Sequence, residues 1–409
     1  MHVLRQRDFR LFLGGRFCAA LALQMQSVAI GWYLYDLTSD PLVLGYAGLA
    51  VFLPIFVFSL PAGDVADRVD RRAILGAMHL TQAICAALFI ALTATATASS
   101  ATWPFFAVLA LSGTARAFSG PAVQSFTPFL VPREQFANAV GWSSSANQTA
   151  TVLGPALGGG IYLFGPGVVF AACLAMSLAV AAAMIAIRTR VVAAAAAGTT
   201  ALSRAVSGIV YLRRQPVVLG AISLDLFAVL LGGITALLPI YARDILGVGP
   251  DGMGLMRSSI AVGGVGTALL LANLPSWRLP HAGRAMFLAV ALFGVAVLFF
   301  GLSASFAASL IALAVMGAAD MVSVFVRSTV VQLATPDAMR GRISALHMLS
   351  VNAANELGEF RAGIVAAWLG AVPAVLLGGI GSLVVVGVWA YFFPELRRID
   401  RLADVSPRS

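Results

Sequence analysis

Gly63-Asp64-Val65-Ala66-Asp67-Arg68-Val69-Asp70-Arg71-Arg72 places six charged residues in ten positions of a chain that is only 11% charged. On either side lie apolar runs, 41–62 and 73–93. Each is near the roughly 20 residues a helix needs to cross a ~30 Å hydrocarbon core. The whole 409-residue chain is 60% apolar, with a mean hydropathy of +0.93. A soluble domain carries about 25% charged residues. Lipid offers no partner for backbone N–H and C=O groups, which leaves helices or a closed barrel. Runs this long and this continuously apolar predict helices, and the charged decapeptide is then a loop between two of them.

Working outward from that loop, twelve spans are expected, near 9–35, 41–62, 73–93, 103–130, 137–163, 166–187, 216–241, 252–273, 284–302, 305–331, 341–369 and 372–393. The net charge of +9 is carried entirely by Arg. Its placement argues against a nucleic-acid surface. Arg5, Arg7 and Arg10, then Arg68, Arg71 and Arg72, Arg133, Arg188 to Arg214, Arg278 and Arg284, Arg340 and Arg342, and Arg397 to Arg408 all fall in loops of one side. The opposite loops carry Arg243. Positive charge collects in cytoplasmic loops, so both termini are expected inside. The basic N-terminus reads as the approach to a retained first helix. Residues 1–187 and 216–394 form two six-span halves, with 188–215 as a cytoplasmic linker and 395–409 as a cytoplasmic tail. Part of the linker, Ser203 to Arg214, is expected as an amphipathic helix on the inner membrane surface.

The halves read as repeats. A shift of 204 positions lays Gly113 on Gly317, Pro132 on Pro336, Gly154 on Gly358 and Gly159 on Gly363 without a gap. It also lays Arg116 on Asp320. Two related halves with a site between them near the midplane is a transporter architecture.

The pattern G-x-x-x-D-R-x-x-R-R of Gly63 to Arg72 resembles the loop signature of the major facilitator superfamily of secondary transporters. Arg116-Ala117-Phe118-Ser119-Gly120 matches that family's R-x-x-x-G element. Gly154-Pro155-Ala156-Leu157-Gly158-Gly159 resembles the G-P-x-x-G-G element of members that export by exchange with protons, with Ala150 where a further Gly is usual. The resemblance covers nearly the whole chain. It implies an all-α integral membrane fold of twelve helices in two pseudo-repeat halves, in the inner membrane of a bacterial cell, working as a monomer by alternating access. Gln24 and Gln26 stand in span one where the best-known drug–proton antiporters carry an acid. The phrases Asn355-Glu356-Leu357-Gly358-Glu359-Phe360-Arg361 and Leu224-Asp225-Leu226-Phe227 look more like the branch containing siderophore (enterobactin-type) exporters. In the family, contacts of the loop Gly63, Asp64, Asp67, Arg68, Arg71 and Arg72 hold one state of the cycle. Asp67 or Asp64 is expected to face the positive end of a neighbouring helix, such as span eleven beginning near Gly341. The second-half equivalent, Arg278 to Arg284, lacks the acids.

An ionisable group inside the membrane is a functional-site hypothesis by default. Arg16, Arg116, Asp225, Asp320, Arg327, Glu356, Glu359 and Arg361 are such groups. Asn352, Glu356 and Glu359 share one face of span eleven. Two carboxylates one turn apart in low dielectric resist joint ionisation, which suits a proton carrier. Proton coupling is therefore expected of Glu356, Glu359, Asp225 and Asp320, with Arg116 steering a proton or an anionic group. Ion pairing of Glu356 and Glu359 with Arg116 or Arg327, purely to hold helices together, is the alternative. Arg16 and Asp225 lie at similar depth and are expected as an inner gate pair, or equally as a static buried pair. Gln24, Gln26, Trp32, Asn147, Gln148 and Asn352 are the candidate substrate cavity, with Trp142 as a further aromatic surface. Each polar member is equally able to serve as an interhelical hydrogen bond.

Cys18, Cys85 and Cys173 fall inside spans and are expected to pack. His79 and His347 show no metal-ligand spacing. No G-x-x-x-x-G-K-[ST] loop is present, so direct drive by ATP is not expected; no cofactor or metal is expected either, and no catalytic constellation marks an enzyme. The expected function is export of a small amphipathic molecule, a drug or siderophore, by proton antiport. An importer or facilitator of the same fold, or a non-transporting membrane sensor or scaffold, is the alternative.

Overall fold

A computed structural model describes residues 3–95, 102–190, 201–273 and 281–400. Of the expected features, Ala193 to Thr200 in the linker, Arg278, and Arg401 and Arg408 in the tail lie outside them.

Every regular element among the described residues is helical: α1 (Arg7–Thr38), α2 (Pro41–Arg68), α3 (Arg71–Thr95), α4 (Trp103–Phe126), α5 (Phe136–Tyr162), α6 (Pro166–Ala186), α7 (Ala201–Arg214), α8 (Pro216–Gly232), α9 (Leu238–Ile240), α10 (Pro250–Asn273), α11 (Ala282–Leu302), α12 (Phe306–Ala334), α13 (Asp337–Leu369), α14 (Ala371–Phe392) and α15 (Pro394–Arg397), with short 3-10 and π turns between some of them. Among the described residues, nine helices are long and apolar enough, by length and composition, to cross a membrane. The remaining long helices, α4, α5 and α13, carry the polar residues Arg116, Asn147, Gln148, Asn352, Glu356 and Glu359. Exposed apolar stripes complete the membrane pattern. On α11, Leu288, Leu292, Val295, Phe299 and Leu302 are exposed at helical spacing, while Met286, Val290, Phe293, Val297 and Phe300 on the other side are buried. A stripe of large apolar side chains is stable only where something other than water covers it.

Local signals set the ends. Ser39 adopts φ 51 and its N–H bonds the Tyr35 carbonyl at 2.8 Å, closing α1. The Asp40 side chain then accepts the Leu42 N–H at 2.9 Å and opens α2. The charged decapeptide departs from expectation: Gly63 to Arg68 continue α2 as helix, and the break is confined to Val69 and Asp70. The cause is capping. Asp70 accepts the Arg72 N–H on its side chain and the Ile74 N–H on its carbonyl, so α3 starts at once. Span four also ends earlier than expected, at Phe126, before a 3-10 turn over Thr127–Phe129.

Span seven, expected as one helix, is interrupted. α8 stops at Gly232, and Gly233, a 3-10 turn at Thr235–Leu237, α9 and a π turn at Tyr241–Ile245 complete the crossing. Gly232 and Gly233 weaken the helix, and Pro239 has no N–H for the ladder. Broken helices at membrane depth persist where they line a cavity.

The chain forms two compact units. The first comprises Met1–Ser39, Leu49–Ala201 and Val248–Ser258; the second comprises Asp40–Gly48, Leu202–Gly247 and Ser259–Ser409. One core of the first unit gathers Phe9, Phe12, Leu75, Phe126, Met184 and Ile187 at one end of its helices, with Phe12 and Phe126 edge-to-face at 5.7 Å. In the second unit α7 docks against α12 and α13: Tyr211 donates to the Ala334 carbonyl, Arg342 donates to Ser207, and Tyr211 and Leu212 cover Val331, Ala334 and Ile343. Ile209, Val210, Arg213 and Arg214 stay exposed, as an amphipathic surface helix requires.

The repeat glycines explain the packing. A methyl at Gly113 would overlap the Val51 carbonyl of α2, and one at Gly317 would overlap the Ile260 carbonyl of α10. Gly154 lies against Gln24 of α1, and Gly358 against Val229 and Leu230 of α8. Gly159 meets Pro250 and Asp251 at the start of α10, while Gly363 meets Pro41 and Gly45 at the start of α2. Without a Cβ, backbones approach closely, which is how helices associate in lipid.

Candidate functional site: acids within the spans

In the second unit, α8 and α12 pack so that Asp225 and Arg327 form an ion pair, with side chains 7% and 2% exposed. Depth along the spans matched Asp225 with Arg16; the guanidinium it holds is that of Arg327. Arg16, in the first unit, lies 5.9 Å over the Phe12 ring. Beside the pair is a cavity of about 150 Å³, lined among others by Gly232, Gly233 and Thr235 of the broken span, by Asp320, and by Asn355. Asp225, Asp320 and Arg327 all face it.

Glu356 and Glu359 do converge. Their carboxylates both lie over Gly48 of α2, whose missing Cβ would stand 3.6 Å from Glu356 Oε2 and 3.5 Å from Glu359 Oε2. Arg361, on another face of α13, donates from Nε to the Leu230 carbonyl at 3.0 Å. Arg116 is exposed on α4. Of the candidate cavity residues, Gln26 and Trp32 are buried in the packing of the first unit. Gln24, Gln148 and Asn352 are half-buried, and Asn147 and Trp142 are exposed.

The charged decapeptide organises one end of the first unit. Arg72 donates to the carbonyls of Ile185 and Ile187, capping α6. Asp8 completes that cap, accepting N–H groups from Arg188 and Thr189 and the Thr189 hydroxyl at 2.8–3.0 Å. Arg71 is 4% exposed and sits 5.2 Å over the Phe129 ring. Arg68 is exposed at the end of α2, and the Asp67 side chain lies outside the described residues.

The glycine element Gly154, Pro155, Gly158 and Gly159 lies in close contact with α1 and α10. Gly158 meets the Met25 backbone, and Gly254 of α10 meets the Pro155 carbonyl. Ser258 was not anticipated. Its hydroxyl donates to the Val152 carbonyl at 2.7 Å and accepts the Ala156 N–H at 3.1 Å, entering the α5 ladder beside Pro155. Arg257 was passed over as well, although an arginine inside span eight carries the same signal as the other intramembrane charges.

A family profile described as a transmembrane secretion effector of the major facilitator superfamily matches residues 1–408. The chain belongs to that family. This transporter-family chain is 32% identical over 155 residues to Macrolide efflux protein A of Streptococcus pyogenes, 38% of either chain, so it spans little more than a third of that relative's length in the match. It is 24% identical over 399 residues to the Enterobactin exporter EntS of Shigella boydii, covering 95% of this chain and 92% of that one. Solved structures share its fold. A bacterial homologue of the human lysosomal transporter Spinster superposes with a TM-score of 0.68 at 15% identity, covering 96% of this chain and 97% of that one. A D-xylose–proton symporter gives 0.68 at 14%, covering 96% and 98%. The chain is therefore a multi-pass membrane protein of the major facilitator fold, in a family of transporters and not of enzymes.

Proposed function

We propose that the chain exports a small amphipathic molecule, of drug or siderophore type, in exchange for protons, by alternating access. It works as a monomer in the bacterial inner membrane, with both termini in the cytoplasm, as the arginine asymmetry supports. The observation that carries coupling is the placement of four carboxylates, Asp225, Asp320, Glu356 and Glu359, within the spans of one unit, two of them beside a cavity. A group at that depth is retained at a cost of a few kcal/mol only where it works. The names of the macrolide and enterobactin relatives support the outward direction. Gln24, Asn147, Gln148 and Asn352 supply hydrogen bonds to a substrate, and Trp142 an apolar face. Arg116 steers the proton or an anionic group, and the segment Gly63 to Arg72 gates the cycle.

The test uses everted membrane vesicles containing the full chain, with erythromycin and a catecholate siderophore as probes. Uptake into the vesicles that requires an acidic interior, and stops when nigericin collapses the pH gradient, is the expected result. Uptake indifferent to the gradient, or concentration in right-side-out vesicles instead, overturns the reading and favours a facilitator or importer.

A further inference from the structure

The three charges of the second-unit cavity do not balance: Asp225 and Asp320 bring two negative charges and Arg327 one positive. α8 contributes Asp225, and α12 contributes Asp320 and Arg327. α13 carries Asn355 on the cavity wall and Glu356 and Glu359 turned toward Gly48, while its His347 and its Arg361, whose Nε donates to the Leu230 carbonyl, do not line the cavity. Ile260 of α10 and Phe293 of α11 complete the wall without charge. Among these described groups no cation lines the cavity to neutralise the second carboxylate.

The geometry of Arg327 shows where the imbalance is managed. Its side chain is 2% exposed, its Nη1 faces Asp225, and its Nε has no hydrogen-bond partner. A buried guanidinium nitrogen without an acceptor is costly, so a further acceptor is implied. Asp320 lies seven residues before Arg327 on the same face of α12, a rise of about 10 Å. Side chains on a helix lean toward its N-terminus, so Arg327 leans toward Asp320. A cavity of about 150 Å³ leaves room for several waters between them.

We propose that Asp320 is the residue that binds and releases the exchanged proton, and that Arg327 is its switch, held by Asp225 when Asp320 is protonated and shared between both carboxylates when it is not. On uptake, one proton from cavity water adds to a carboxylate oxygen of Asp320, giving a neutral acid that no longer needs the guanidinium. On release the proton returns to water and the Nε of Arg327 gains its missing acceptor. The assignment rests on the proton-driven reading for its role in transport, but the site itself needs neither substrate nor gradient. Glu356 and Glu359 then serve the contact with α2.

The test is infrared difference spectroscopy of the purified full chain in lipid nanodiscs, following protonated-carboxyl bands against pH. Asp320→Asn removes one titrating band, and Asp320→Glu keeps it at a shifted frequency. Asp225→Asn frees the guanidinium for Asp320, and the band's midpoint falls by about 1–3 pH units. A band unchanged in Asp320→Asn overturns the proposal. So does a midpoint unmoved in Asp225→Asn, which also decides the matter if Asp320→Asn does not fold. A band displaced at fixed pH when sodium replaces choline makes the site a metal-cation site and overturns it too. Titration without gradient-dependent efflux leaves the site standing and removes only the exporter reading.

Discussion

Asp225 of α8 is ion-paired with Arg327 of α12, and both side chains are more than nine-tenths buried. The pair ties two helices of one unit together where neither charge reaches bulk water. Truncating one member of such a pair strands the other. Arg327→Ala is therefore expected to cost about 3–5 kcal/mol, seen as a large drop in thermal unfolding temperature in detergent. Asp225→Asn should cost clearly less, because Asp320 remains to take the guanidinium. Equal losses in the two variants would contradict that ordering.

Gly159 and Gly160 are neighbours with opposite surroundings. A methyl at Gly159 would overlap the Pro250 carbonyl, while nothing lies within 4 Å of one at Gly160. Gly159→Ala is expected to destabilise by about 1–3 kcal/mol through overpacking, and Gly160→Ala to be neutral or slightly stabilising. Fluorescence-detected gel filtration after a heating series measures both. A tolerant Gly159→Ala would mean that the start of α10 yields easily.

Ser258 supports α5 beside Pro155. Ser258→Ala removes a donor to Val152 and an acceptor for Ala156, each interhelical bond being worth about 1 kcal/mol. Ser258→Thr keeps both groups and should lose less. Thermal unfolding that ranks the parent above Thr and Thr above Ala checks this, and an Ala variant as stable as the parent would show that α5 closes its own ladder at no cost.

Asp8 and Arg72 cap the end of α6 from opposite sides, one accepting N–H groups and the other donating to carbonyls. Asp8→Ala and Arg72→Ala are each expected to remove about 0.5–1.5 kcal/mol of local protection, which is roughly 3- to 10-fold faster amide exchange. Hydrogen exchange with mass spectrometry over residues 187–189 reads it directly. Unchanged exchange there would reduce the caps to passive contacts.

The long helices were legible because a period of twenty apolar residues has one physical solution in lipid. The repeat glycines were legible for a related reason: positions that need an absent Cβ recur when a half is duplicated, and Gly113 with Gly317 shows the same carbonyl contact twice. Convergence of Glu356 and Glu359 followed from helix geometry alone. The pairing of Asp225 with Arg327 did not, because depth along a span, which suggested Arg16, says nothing about which neighbour faces it. The helical state of Gly63 to Arg68 was hidden by its charges, although nothing in it but Gly63 opposes a helix. Ser258 carried no signal at all, since a lone serine in an apolar span is ordinary until a proline in another helix gives it work.

That borrowed hydroxyl makes the backbone ladder of α5 and the docking of the first turns of α10 one mechanical coordinate. If those turns withdraw, the oxygen leaves with them, and Ala156 must find its partner four residues back along its own backbone. Closure of that ladder and undocking then happen together or not at all, so a single small side chain sets how stiffly the two movements are geared.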